Sequence, residues 1–187
     1  MVDFPSIPRW DALHPLIIHF PIALLLIAPI FVLVGAALSP AKGRPYLIAA
    51  MVLLLVGTGS IFVAVETGEA AGKLAERSPG MESVLQNHES LAERTQAVFS
   101  VLSVVFVALI AGPWLLKRAD TRLTTTILPL AFLVLYSAGA LLLVNTAHNG
   151  GRLVHEFGVR TVVSPTAPIN ANAHYQLKQV AIRTQPK

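Results

Sequence analysis

Four long apolar stretches without a formal charge constrain this chain more than any other feature of its sequence. They cover residues 15–38, 46–65, 97–116 and 123–144, and each is long enough to cross a bilayer as a helix. The chain is 54 % hydrophobic and 13 % charged, with a mean hydropathy of +0.65, which excludes an ordinary soluble domain. Because lipid offers no hydrogen-bond partners to the backbone, all four stretches are predicted to be helices.

The connections between these stretches predict how the helices are arranged. Two connections are short, which favours antiparallel neighbours in an all-α integral membrane four-helix bundle of up-down topology. The long connection continues the helical pattern on both sides, through "ETGEAAGKLAER" and through a stripe that includes Val84, His88 and Leu91. Between the two, Ser78 is a candidate N-cap with Pro79 at the first helical position. The second and third helices are therefore predicted to extend as an external hairpin.

Along the chain, this pattern predicts three parts. Residues 1–13 form a short external N-terminal leg, residues 14–160 form the four-helix transmembrane domain, and residues 161–187 form an extended external C-terminal tail. The tail is polar and contains proline and asparagine, which disfavour regular structure. In "NTAHNGGRLVHEFGV", the paired glycines predict a break after the fourth apolar stretch.

The loop charges predict the orientation of the bundle. Lys42 and Arg44 occupy the first short loop, and Lys117, Arg118 and Arg122 occupy the third, whereas the long second loop has six glutamates against three basic residues. Because cytoplasmic loops of membrane proteins carry the excess of lysine and arginine, the short loops are predicted to be cytoplasmic. The expected protein is a multi-pass protein of the bacterial inner (cytoplasmic) membrane with both termini in the periplasm.

Several functions are excluded by what the sequence lacks. The chain contains no cysteine, which excludes disulfides, a thiolate-held iron–sulfur cluster and covalent attachment of a c-type haem within this chain. No basic stripe is interleaved with aromatic residues, so no nucleic-acid partner is predicted. No nucleophile–base set and no paired-carboxylate hydrolase site is evident, so whether the protein is an enzyme is left open. The apolar helices themselves predict contact with membrane lipid.

The histidines are the candidate functional residues of this chain. At about 1.5 Å of rise per residue from the predicted cytoplasmic ends, His14 and His148 lie ~39 Å up, His88 lies ~43 Å up, and His19 and Glu66 lie ~30 Å up. This predicts an outer layer of three histidines and an inner layer of His19 with Glu66. Polar groups from all four helices can therefore converge near the outer face.

The histidines are ranked by whether a location at a helix end, where a polar side chain is tolerated, already accounts for them. Those that such a location does not account for rank higher. His19 comes first because it lies deeper, among isoleucine and phenylalanine, and an ionisable residue within a membrane helix is a functional candidate by default. His88, His14 and His148 follow in that order. The estimated heights disfavour a direct pair of His19 with His88 unless the helices tilt, so the pairing is left open. Glu66 is a candidate to orient an inner histidine or to bind a metal itself.

Three interpretations of these residues compete. The first is a b-type haem held by two neutral imidazoles from facing helices, with Gly57, Gly59 and Gly139 leaving room for the porphyrin. The protein would then pass electrons between periplasmic carriers and a membrane complex or the quinone pool. The second is a non-haem iron or copper ion bound by His19 or His88 with a carboxylate, although no HExxH or ExxH motif is present. The candidate carboxylates are Glu66, Glu69 and Glu89. The third is a cofactor-free accessory or structural subunit of a larger respiratory or photosynthetic complex.

The opening segment "HPLIIHFPIAL" resembles the signature HPxxxHFPIAL of a bacterial integral-membrane family known as a domain of unknown function. Looser similarity extends to "VETGEAAG", "NHESLAE" and "GGRLVHEFGV" and covers most of residues 12–160. The resemblance implies four spans and points to His14, His19 and His88. Some relatives are fused to, or lie beside, c-type cytochrome or Rieske domains, so the resemblance also implies a periplasmic redox partner, which would here be a separate protein.

Overall fold

The computed structural model describes residues 8–75 and 77–159, and every regular element in this part of the chain is helical. Most of the predicted N-terminal leg and all of the predicted C-terminal tail lie outside the described residues. In chain order, the elements are a 3₁₀ turn (Trp10–Ala12), α1 (His14–Ile17), α2 (His19–Ala37), α3 (Pro40–Leu74), α4 (Met81–Leu115), a π-helical turn (Leu123–Ile127) and α5 (Leu128–His155).

Four segments are long and apolar enough to cross a membrane, which confirms the predicted all-α membrane protein with four spans. They are His14–Ala37, Pro40–Leu74, Met81–Leu115 and Leu123–His155. The first span consists of α1 and α2, which are separated at Ile18. The interruption has a local cause, because Pro21 has no N–H to donate to the carbonyl four residues before it.

The four long helices form a ring in which each helix packs against two neighbours. α3 packs against α2 and α4, and α5 packs against α4 and α2. Neighbours run antiparallel, as the α4–α5 contacts show. Asn87 is hydrogen-bonded to Asn149 and Thr95 to Thr146, so residue numbers rise along one helix as they fall along the other. This is the predicted up-down bundle.

The bundle interior is filled by aromatic and aliphatic side chains, while the outside is also apolar. Phe99, Phe106, Phe132 and Tyr136 are buried and in mutual contact, with ring centroids 4.6 to 5.7 Å apart. Outward-facing residues such as Val134 are more than two-thirds exposed. An apolar exterior of this extent is unfavourable in water and is the surface that a lipid bilayer requires.

One hydrogen bond in the core satisfies a carbonyl that a proline has freed. Pro29 lies inside α2 and cannot donate to the carbonyl of Leu25, four residues earlier. The Tyr136 hydroxyl of α5 donates to this carbonyl over 2.6 Å, and both residues are buried. The kinked first span is thereby tied to the last one.

We expect Tyr136→Phe to lower the free energy of unfolding by about 1–3 kcal/mol, because it leaves the buried Leu25 carbonyl without a donor. The matched test is a double-mutant cycle with Pro29→Ala. Alanine restores a backbone N–H at position 29, so Tyr136→Phe should cost less in that background. Thermal unfolding in detergent measures both costs. Equal costs in the two backgrounds would show that the hydroxyl does not replace the missing helical donor.

The predicted hairpin of the second and third helices is present, since α3 reaches Leu74 and α4 begins at Met81. Each helix has 35 residues, well beyond the roughly 20 that span a bilayer. The predicted cap at Ser78 is wrong. The residue before α4 is Gly80, which has a φ of 81° and no side chain that could cap the helix. A turn with left-handed backbone, which glycine adopts at little cost, lies between Ser78 and the helix.

The predicted break at the paired glycines is also wrong, because α5 continues through Gly150 and Gly151 to His155. Glycine in a helix costs about 1 kcal/mol relative to alanine, so packing must offset this cost. Beyond the glycines, Leu153 packs into a small buried cluster with residues of α4, among them Met81. This contact holds the last turns of α5 against the hairpin.

The opposite end of the bundle, here called the Arg44 end, is closed by polar contacts between its loops. Arg44 at the start of α3 pairs with Asp120 in the connection between α4 and α5, and it also lies 3.5 Å from the Ile110 carbonyl. The Thr126 hydroxyl donates to the Ala36 carbonyl over 3.1 Å, which ties the start of the last span to the end of α2.

Candidate cofactor-binding site

Two of the six histidines meet near the other end of the bundle. The ring centroids of His14 and His88 are 6.4 Å apart, and the ring planes are inclined at 80°. His14 is the first residue of α1, and His88 lies in the second turn of α4. Both side chains are half-buried. The pair is therefore made by the fold, from residues that are remote in sequence.

The His14 imidazole rests against α3. Its Nδ1 is 2.8 Å from the Ala64 carbonyl and 3.4 Å from the Thr67 hydroxyl, which itself donates to carbonyls of α3. A Cβ on Gly68 would lie 2.9 Å from the His14 ring, so only glycine leaves room for the imidazole here. Because a carbonyl can only accept, Nδ1 carries the proton and Nε2 retains its lone pair.

The His88 imidazole rests against α5 in the same manner. Its Nδ1 is 3.0 Å from the Thr146 carbonyl, and a Cβ on Gly150 would lie 3.0 Å from its ring. The hydroxyl of Thr146 is hydrogen-bonded to that of Thr95 over 2.8 Å, which fixes α5 against α4 at this level. His88 therefore also carries its proton on Nδ1 and leaves Nε2 free to bind a metal.

The two imidazoles share one local design. In each case the accepting carbonyl lies four residues before a glycine, Ala64 before Gly68 on α3 and Thr146 before Gly150 on α5. In a helix, residue i+4 covers the carbonyl of residue i, and glycine has no side chain to cover it. The bare carbonyl can then accept a second hydrogen bond, from a histidine on the neighbouring helix.

Among the described residues, none of the other predicted site residues joins this pair in a group that could hold a metal ion. His19, ranked first from the sequence, and His148 and Glu66 are all exposed, and no hydrogen bond joins His19 to Glu66 within the described residues. The helical period explains His19, because a residue five positions after His14 is rotated by about 140° from it. With His14 turned inward, His19 faces outward. The structure therefore brings together His14 and His88 rather than any pair that contains His19.

Two of the three glycines predicted to make room for a porphyrin lie against other side chains. A Cβ on Gly57 would lie 2.8 Å from the Leu25 side chain, and one on Gly139 would lie 2.9 Å from Leu102. Gly59 has open space around it. The glycines that contact the imidazoles, Gly68 and Gly150, were not identified from the sequence. Their signal was their position in "VETGEAAG" and "HNGGRLVHEFG", beside the carbonyls that they uncover.

The donor set at the pair is two imidazoles. Among the described residues, no group of three or more histidine, cysteine or acidic side chains could hold a metal ion. Glu66 and Glu69 are exposed, and Glu89 is half-buried with its carboxylate towards Gly72 of α3. A non-haem ion in a protein needs more ligands than these two nitrogens, whereas a haem iron needs only two axial ones.

Comparisons with known proteins place the chain in a family without indicating an activity. A search among curated proteins gave no match, and a search among solved structures gave none either. A family model described as "Predicted membrane protein (DUF2231)" matches residues 10–163, which include all four spans and both histidines of the pair. The chain therefore belongs to this family of predicted membrane proteins of unknown function.

Proposed function

We propose that this protein is a membrane electron-transfer protein that binds one b-type haem between His14 and His88. The observation that carries the proposal is the pair itself: two imidazoles from different helices, each with Nδ1 bonded to a backbone carbonyl and Nε2 left for a metal. Backbone or carboxylate acceptors on the second ring nitrogen are typical of histidines that bind metals.

The separation of the rings agrees with axial ligation of one iron. With a metal–nitrogen distance of about 2.0 Å and about 1.1 Å from each nitrogen to its ring centroid, two imidazoles whose Nε2 atoms faced one ion from opposite sides would have centroids about 6.2 Å apart. The observed separation is 6.4 Å. Two rings in a T-shaped contact also pack at such distances, so the alternative is a histidine pair without a cofactor. That alternative corresponds to an accessory subunit of a larger membrane complex.

In this proposal the protein contributes orientation and electrostatics. A bound haem would supply a one-electron carrier whose potential depends on its axial ligands and its surroundings. The carbonyls of Ala64 and Thr146 hold the two rings in one tautomer and increase electron donation from Nε2. Gly68 and Gly150 leave room for the rings to approach the helix backbones closely.

The position of the pair suggests where electrons would enter. His14 begins the first span, so the pair lies near one membrane surface. The opposite, Arg44 end is rich in basic residues, which supports placing it in the cytoplasm of a bacterial inner membrane and the histidines and both termini towards the periplasm. We propose a periplasmic c-type cytochrome or Rieske-type protein as one partner, and a membrane complex or the quinone pool as the other.

The test is an absorption spectrum of the detergent-purified chain, oxidised and then reduced with dithionite. The proposal predicts a Soret band, sharp α and β bands after reduction, and one haem per chain. A colourless protein from cells with adequate haem supply would reject the proposal. In that case, stoichiometric iron or copper would favour the non-haem alternative, and the absence of metal would favour the accessory subunit.

We expect Gly150→Ala to disturb the His88 ligand, because the new methyl group would lie 3.0 Å from its ring. The reduced α band should shift and haem retention during purification should fall. Gly151→Ala is the matched control, since nothing lies within 4 Å of a Cβ at that neighbouring position. Spectra and haem-to-protein ratios of both variants measure the effect. Native behaviour of Gly150→Ala would argue against a ligand role for His88.

A further inference from the structure

The Arg44 end carries four cations that the fold itself does not neutralise. Its charged residues are five basic ones and Asp120, and Asp120 pairs with Arg44. No carboxylate of the described residues forms an ion pair with the other four, and all four side chains are exposed. We call this group the cationic surface: Lys42, Lys117, Arg118 and Arg122.

The histidine end has the opposite balance. Its described residues include five basic and seven acidic side chains, and three of the basic ones form ion pairs. The excess of positive charge is therefore confined to one end of the bundle. A general requirement for solubility does not explain such an asymmetry, since it would be met by charge at either end.

The cationic surface begins where the apolar surface of α4 stops. Trp114, Leu115 and Leu116 are 69 %, 68 % and 66 % exposed, and Lys117 and Arg118 follow directly. Tryptophan is enriched at the boundary between hydrocarbon and headgroups, so this order of residues places the cations at the depth of the lipid phosphates.

Lys117 occupies a backbone position that favours glycine. Its φ is 51°, and it closes α4 with the two bonds of a Schellman turn, from Lys117 N–H to the Trp114 carbonyl and from Arg118 N–H to the Pro113 carbonyl. A left-handed conformation is unfavourable for a residue with a Cβ. A lysine at this position therefore costs backbone free energy that glycine would avoid.

We propose that the cationic surface binds the phosphate groups of anionic phospholipids. A guanidinium group, such as that of Arg118 or Arg122, can donate two parallel hydrogen bonds to two oxygens of one phosphate. The lysines add positive charge beside the arginines. Each basic residue near an anionic membrane surface strengthens association about fivefold. The site is separate from the histidine pair and does not depend on whether a haem is bound.

The test compares lipid selectivity of the full chain reconstituted in phosphatidylcholine vesicles that contain a minority of phosphatidylglycerol. Spin-labelled phosphatidylglycerol should bind in preference to spin-labelled phosphatidylcholine, and salt should weaken the preference. Combined Lys117→Gln, Arg118→Gln and Arg122→Gln should reduce it more than tenfold. The matched control, Lys73→Gln with Arg94→Gln, removes two exposed cations from the α3–α4 hairpin and should keep it.

A second variant separates lipid binding from folding. Lys117→Gly relieves the left-handed backbone, so the protein should unfold at the same or a higher temperature while its selectivity falls about fivefold. Undiminished selectivity in the triple variant, or an equal loss in the control, would overturn the proposal. So would displacement of the labelled lipid by millimolar inorganic phosphate, which would identify a site for a free anion.

Discussion

His14→Ala and His88→Ala should each abolish the haem spectrum of the purified protein. Each substitution removes one of the two nitrogens proposed to hold the haem iron, and no third histidine joins the pair in a metal-binding group among the described residues. We expect the haem-to-protein ratio to fall at least about tenfold, since even loss of a supporting group around a metal ligand costs roughly that much affinity. Absorbance of the reduced, detergent-purified variants provides the measurement.

The chain offers matched controls for this experiment. His19 and His148 are close in sequence to the residues that build the site, but both are exposed. His19→Ala and His148→Ala should therefore retain the native haem content and the native reduced bands. A loss of haem in His19→Ala equal to that in His14→Ala would contradict the proposed His14–His88 pair. His19 would then again be the first candidate ligand, as its sequence position suggested.

The second large effect is expected at the crossing of α2 and α3. Gly35 and Gly43 face each other there, and a Cβ on Gly43 would overlap the Gly35 carbonyl oxygen. A Cβ on Gly35 would lie 2.8 Å from the Leu47 side chain. The helices are joined by a tight turn at this end, so the backbones have little freedom to separate. We expect Gly43→Ala to lower the free energy of unfolding by about 1–3 kcal/mol, the usual cost of overpacking.

Gly59→Ala is the control for Gly43→Ala, because it makes the same change in the same helix. Nothing lies within 4 Å of a Cβ at Gly59, so its unfolding temperature should stay at or above that of the native protein. Thermal unfolding of both variants in one detergent measures the difference. Equal unfolding temperatures would show that α2 and α3 do not approach as closely as this crossing requires.

Much of the fold could be predicted because its signals are local. Residues 15–38 and the three other apolar stretches are uncharged and long enough to span a bilayer, and hydropathy alone reveals this. The hairpin was likewise visible in the helical pattern before and after Pro79. The errors came where packing overrides a local preference. The glycines at 150 and 151 predict a break, yet α5 continues through them, with Gly150 against the His88 imidazole and Leu153 packed on α4.

The candidate site could be predicted only in part. Heights along the helices placed His14 and His88 in one outer layer, because rise per residue is a property of the helix alone. Which side chain faces inward depends on how each helix is rotated in the bundle, and His19 was ranked first without that information. The role of the Ala64 and Thr146 carbonyls as acceptors for the two imidazoles could not be predicted from the sequence. A backbone carbonyl inside a helix is normally covered by the side chain four residues later.

The sequence by itself therefore determined that this chain crosses a membrane with four helices and carries its histidines away from its basic loops. The spans and the orientation both follow from the hydropathy of each segment and from the charges of the loops, which are local properties of the sequence. Only the tertiary structure decided that His14 meets His88 across the bundle. Contacts between residues 74 positions apart depend on the rotation and register of packed helices, and these are set by close approaches such as those at Gly68 and Gly150.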